Sequence, residues 1–182
     1  MKYFYIGIGI IILVIFFGFI SKTSKVNKTE LKENPYNGLR KMVFSLNAQS
    51  LGREIKDPKQ SLCTVMEWEI SNATATLVSV IDGSTSLYLS TGGGVIGGGA
   101  HKNVVDVSSI FLKESEKYLD LMKKDTEYIL PQKGHVCFYV VTNDGVYKYD
   151  GKEEEMANGK EQFSKLFVYG QNVITELRKI AP

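Results

Sequence analysis

The residues most able to do chemistry by type and spacing are the glycines of 91-TGGGVIGGGAH-101 and the histidine that ends the run. Gly92, Gly94 and Gly97 spell G-x-G-x-x-G, the pattern with which a strand-to-helix turn brings backbone N–H groups up to a pyrophosphate. Gly93, Gly98 and Gly99 add backbone that no side chain shields, so successive N–H groups ahead of a helix can line a cradle for a phosphate or carboxylate. The candidate ligand-binding set is therefore Gly92, Gly93, Gly94, Gly97, Gly98, Gly99 and His101, with His101 available as a base. The bland alternative is a backbone device that lets the chain turn without side-chain clashes. A P-loop is excluded, because Lys102 follows His101 and precedes Asn103 where G-x-x-x-x-G-K-[ST] is required.

Other reactive groups form no coherent set. Ser84, Thr85, Ser86 and Ser90 are potential nucleophiles, but neither G-x-S-x-G nor another activating pattern surrounds them. Cys63 and Cys137 lie in separate apolar runs without C-x-x-C spacing, which predicts buried free thiols. His101 and His135 are far apart in sequence, with no ligand spacing around them. No catalytic residue, metal or cofactor is expected.

Position decides what the glycines can do, and the elements around them follow from periodicity. Leu39, Met42, Val43, Leu46 and Leu51 recur at helical spacing after Pro35, with Asn37 as a candidate cap and Gly52 as the stop. In 62-LCTVMEWEI-70 the chain alternates, with Cys63, Val65, Glu67 and Glu69 on one face, which predicts a half-buried strand. Turns at Ser71-Asn72 and Asp82-Gly83 lead into strands over 74–81 and 85–90. Connections this short force an antiparallel meander, since a parallel crossover needs a dozen or more residues. A dinucleotide fold is thereby disfavoured: it needs a parallel βαβ unit with an acid at the end of the second strand.

Beyond the glycines, Asn103 with Asp106 reads as a cap for an amphipathic helix of about five turns, marked by Val107, Ile110, Phe111, Tyr118, Leu121 and Met122. A hairpin follows over 135–151 around Asp144-Gly145, then a charged loop over 152–161. A last helix carries Phe163, Leu166, Phe167, Val173, Ile174, Leu177 and Ile180, and Gly170 within it implies close approach to the sheet. The fold class is α+β: an antiparallel five-stranded sheet with helices packed on it, in the order α-βββ-α-ββ-α.

Ahead of this domain, 3-YFYIGIGIIILVIFFGFI-20 is an uncharged run between Lys2 and Lys22. At 1.5 Å per residue it spans roughly 27 Å as a helix, close to the thickness of a bilayer's hydrocarbon core. No small-x-small cleavage site follows, which favours an uncleaved transmembrane helix over a signal peptide. The expected organisation is an anchor over 1–22, a linker over 23–35 and a globular domain over 36–182. Lys22, Lys25, Lys28 and Lys32 follow the span, so the positive-inside tendency puts the domain on the cytoplasmic side of a single-pass membrane protein. The 22 Lys+Arg and 20 Asp+Glu nearly cancel, which gives no basic face for nucleic acid.

The order of elements from 36 to 181 resembles the type III secretion chaperone-like fold and the roadblock, longin and profilin-like group. Both resemblances imply protein partners, a homodimer among them. The segment 74-TATLVSVIDGSTSLYLSTGGGVIGGGAH-101 is similar to one in uncharacterised bacterial proteins, where a DG-T-SLY-STGGG-IGGG pattern recurs. It brings no activity with it. The expected function is a membrane-anchored, non-enzymatic protein-interaction or scaffold domain. The alternative is a small-molecule or anion-binding protein, or a hydrolase, using the loop from Gly92 to Gly99.

Overall fold

The computed structural model describes residues 34–181. The expected anchor over 1–22 and most of the linker after it lie outside the described residues. Among the described residues no helix is long and apolar enough to cross a membrane.

The fold is α+β, built on one antiparallel sheet. Its elements are α1 (Pro35–Phe44), β1 (Cys63–Ile70), β2 (Ala73–Val80), β3 (Thr85–Leu89), β4 (Gly94–Val95), α2 (Lys102–Ser115), β5 (Lys123–Lys124), β6 (His135–Thr142), β7 (Gly145–Lys152), α3 (Glu153–Ala157) and α4 (Ser164–Ile180). The sheet has seven strands, ordered β4-β3-β2-β1-β6-β7-β5, where the sequence predicts five. The five expected strands form the centre, and β4 and β5 are added at the edges. Each added strand is two residues long, too short for an alternating pattern to mark it.

Meander and hairpin join through β1, whose neighbours are β2 on one side and β6 on the other. Alternation along β1 therefore does not separate core from solvent: six consecutive residues from Cys63 to Trp68 are buried. The half-buried reading is corrected, because helices cover both faces. Met66, Trp68, Leu77, Phe138 and Val140 belong to a core shared with Phe111 of α2 and Leu166 and Ile174 of α4. Cys63, Val65, Val78, Tyr88, Cys137 and Tyr139 face the other way, onto Tyr36, Val43 and Phe44 of α1. At Gly170 of α4 an added Cβ would lie 2.7 Å from Met66 Sδ, which is the close approach that a glycine inside an apolar stripe implies.

Helix ends differ from their sequence signals for local reasons. Asn34, not Asn37, caps α1: its side chain accepts from Tyr36 N at 3.1 Å, with Pro35 in the first turn. The helix stops at Phe44, short of Gly52, because Asn47 and Ser50 bond each other's backbone in a turn of their own. Met42, expected on the apolar face, is 45% exposed. α2 begins after His101, whose side chain makes no capping bond, and Asn103 lies inside it. Its expected last turns tighten into a 3-10 segment over Glu116–Leu121. The charged stretch over 152–161 contains α3, whose first turn holds Glu153, Glu154 and Glu155, where the helix dipole favours acids.

Candidate functional site

The glycine segment leaves β3, turns and returns as β4, then enters a 3-10 turn (Gly98–Ala100) and α2. Gly92, Gly93, Gly94 and Gly97 all have positive φ. At Gly94 (φ 142°) an added Cβ would sit 2.2 Å from Leu87 O, so in the β3–β4 ladder the position opposite Tyr88 has no room for a side chain. At Gly98 it would sit 2.7 Å from Leu177 Cδ2 and 2.9 Å from Thr85 O, which lets the 3-10 turn lie between β3 and α4. Gly99 meets the backbone of Gly83 in the same way, with Gly83 O 2.7 Å from an added Cβ. His101 is exposed at the start of α2. Two of the nearby hydroxyls are engaged: Thr85 Oγ1 lies 3.1 Å from Gly83 O and 2.9 Å from Ser108 Oγ, and Ser90 Oγ accepts from Thr74 N.

A different constellation lies under α1. Glu67, in the middle of β1, is fully buried. Arg40 meets it with a bidentate pair, Nε to Oε1 at 2.7 Å and Nη2 to Oε2 at 2.8 Å. Thr76 Oγ1 on β2 donates to Glu67 Oε1 at 3.0 Å, and the Tyr36 hydroxyl lies 2.9 Å from that same Oγ1. The Arg40 guanidinium also stands over the rings of Phe44 and Tyr139, at 4.9 and 5.9 Å from their centroids. Burial opposes the Arg40 charge, but the hydrogen bond and charge of Glu67 outweigh it and hold the guanidinium protonated. Burial first, then the Glu67 charge, pushes the Tyr36 phenol up to about 12, so it stays neutral. Tyr88 is shifted further in the same direction by the same two causes, and its hydroxyl is buried without a partner among the described residues.

Sequence reasoning missed this cluster, although part of its signal was in view. Glu67 shares a strand face with Cys63 and Val65, and an acid on an apolar face needs a cation. Tyr36, Arg40 and Phe44 recur every four residues, one side of a helix. An apolar-only reading of that helix selects Leu39 and Met42 in their place.

Further along the same face, β6 and β7 bring His135, Cys137 and Asp150 together. Asp150 stands between the others, with Oδ2 accepting from Cys137 Sγ at 3.1 Å and Oδ1 lying 2.5 Å from His135 Nδ1. A thiol nucleophile needs the imidazole as its direct neighbour, to take the proton. Here burial, and then the Asp150 carboxylate, push the Cys137 thiol well above its usual range and keep it protonated. Cys63 is free and buried as well, four positions from the β1 residue that pairs with Cys137. Among the described residues no group of three His, Cys, Asp or Glu has the geometry to hold a metal ion.

Beside α1, a groove of about 410 Å³ opens between Asn37, Arg40 and Phe44 on one side and Glu127 and Tyr128 on the other. Tyr128 has φ 53°, an unusual backbone for a bulky residue, held by its N–H donating to Asp125 Oδ2 at 2.8 Å. Its ring stacks on Phe44 with centroids 4.4 Å apart. The next carbonyl, Ile129 O, accepts from Tyr139 OH at 2.7 Å and from Lys148 Nζ at 3.2 Å. The loop backbone is thus fixed while Ile129 and Leu130 stand 61% and 40% exposed.

Comparison with protein-family models, with curated proteins and with solved structures finds no match to this chain.

Proposed function

We propose that this chain is a membrane-anchored, non-enzymatic interaction domain, held at the cytoplasmic face by residues 1–22, and that it meets a protein partner through the loop carrying Ile129 and Leu130. One observation carries this reading: two adjacent large apolar side chains are presented to solvent by a backbone pinned at Tyr128 and Ile129. Exposed apolar groups on a rigid support mark contact surfaces, because their burial is favourable and little ordering entropy is lost. The polar groups nearby are consumed internally, Glu67 by Arg40 and Thr76, and the Cys137 thiol by Asp150.

A photo-crosslinking residue placed at Leu130 of the full-length chain in its membrane tests this. Crosslinks at Leu130 are expected to exceed those from a control at Lys179 and to disappear with Ile129→Asp. Equal labelling at the two positions, or labelling indifferent to Ile129→Asp, counts against the contact surface.

A further inference from the structure

α1 is bound to the sheet like a ligand. At ten residues it is shorter than a helix that is stable alone in water, so it depends on what it docks against. Three side chains at four-residue intervals make the docking: Tyr36 to Thr76, Arg40 to Glu67, and Phe44 to Tyr128 and Tyr139. A buried ion pair of this kind fixes which partner fits more than it adds stability. The layer beneath holds the Tyr88 hydroxyl, buried and without a partner among the described residues.

The tether is equally informative. From Ser45 to Leu62 the chain forms neither helix nor strand, beyond the roughly 12–15 residues past which such connections are uncommon within a domain. No residue from Ser45 to Gln60 is buried. Among the described residues, hydrogen bonds from this stretch to the β6–β7 turn are Ala48 N to Asn143 Oδ1 at 3.0 Å and, at its far end, Asp144 N to Pro58 O at 3.1 Å, so the loosely held part runs over 45–57. Ser61 and Leu62 are buried and bonded to Glu116 and Val141, but the stretch over 45–57, at about 3.3 Å per residue, can extend roughly 40 Å, comparable to the width of a domain this size.

From these features we infer that α1 is exchangeable: the sheet face built on Glu67, Thr76 and Tyr139 accepts α1 of a second copy as it accepts its own, giving a swapped dimer. Exchange of an identical element preserves every docking contact and asks only that the tether open. The docking site adjoins the Ile129–Leu130 loop through Tyr128, but the proposal stands whether or not the exposed side chains of that loop have a partner.

Charge reversal in the full-length chain, in detergent, tests it. R40E and E67R each place like charges in the docking site of a single chain, whereas a mixed pair restores opposite charges only across chains. Differently tagged R40E and E67R chains, co-expressed, are expected to co-purify at least tenfold above wild type mixed with the double variant R40E/E67R, where each chain is satisfied internally. Co-purification at that background overturns the proposal. So does failure of the mixed pair to fold while the double variant folds. A second arm needs no reversed charge: Phe44→Cys and Tyr128→Cys chains, co-expressed and treated with a short bis-maleimide, should give at least tenfold more joined dimer than Phe44→Cys with Lys179→Cys. Parity between those two pairs also overturns it.

Discussion

Under α2 and α4, the strands bury Met66, Leu77, Phe138 and Val140 with essentially no exposure, and their neighbours are apolar. Under α1, the same strands turn Glu67, Thr76, Tyr88 and Tyr139 inward, and burial there is as complete. One sheet thus supports two cores that differ in what holds them. The first depends on area removed from water and on close packing, so each lost methylene counts. The second depends on matched partners, so loss of one group harms more than loss of two.

The largest effects should come from substitutions that oppose these two rules. Phe138→Ala is expected to destabilise by about 3–5 kcal/mol, and no second truncation should restore it. Arg40→Met should cost a similar amount, about 3–5 kcal/mol, because it strands the Glu67 carboxylate. Adding Glu67→Leu to Arg40→Met should return stability to near that of the parent or above it. Urea titration of the four proteins measures this, and a double variant no more stable than Arg40→Met would erase the distinction between the faces.

A smaller effect is expected at Gly94, on the edge ladder that serves both faces. Gly94→Ala forces a Cβ toward Leu87 O from a φ of 142°, and should cost about 1–3 kcal/mol through strain and loss of β4. Hydrogen exchange should show the amide of Leu89, which donates to Gly93 O, losing protection. Unchanged exchange there would mean that the glycine is not needed for the pairing.

The smallest effect concerns Glu114 on α2. The hydrogen bond from Lys117, at 2.8 Å, holds its carboxyl below the usual range against the opposing effect of burial, and the charges of Lys117 and Lys165 act in the same direction. A depressed carboxylate contributes stability above its unfolded pKa, and that stability is lost as pH falls through the folded value. Lys117→Met should therefore remove about 0.2–0.5 kcal/mol at neutral pH and less in acid. Thermal unfolding at pH 7 and pH 3 should show the two proteins converging at the lower pH, and a constant gap would assign the loss to packing.

Much of the first face was legible in the sequence, and little of the second. Phe111, Leu166, Ile174 and Leu177 repeat at helical spacing, and apolar periodicity reports burial against another apolar surface directly. Gly170 marked the contact with Met66 for a similar reason, since a glycine in such a stripe has few other uses. The pairing of Arg40 with Glu67 is not periodic. It links a helix to a strand across an irregular connection, and neither residue declares its partner. β4 and β5 escaped notice because two residues cannot alternate. The glycine run was visible at once, yet its letters do not say whether Gly94 and Gly98 leave room for a ligand or for Leu87 and Leu177.

Those two short strands also limit how the molecule can aggregate. β5 is a pair of exposed lysines, and β4 is a glycine and a valine reached through a glycine turn. Neither offers the row of free amide and carbonyl groups that templates strand addition. Where they lie, β4 against Leu87 and Tyr88 and β5 against Tyr147 and Lys148, they shorten the edge along which crowded copies could zip into cross-β fibres. A peptide that imitates a strand at either of these short elements gains at most a two-residue ladder.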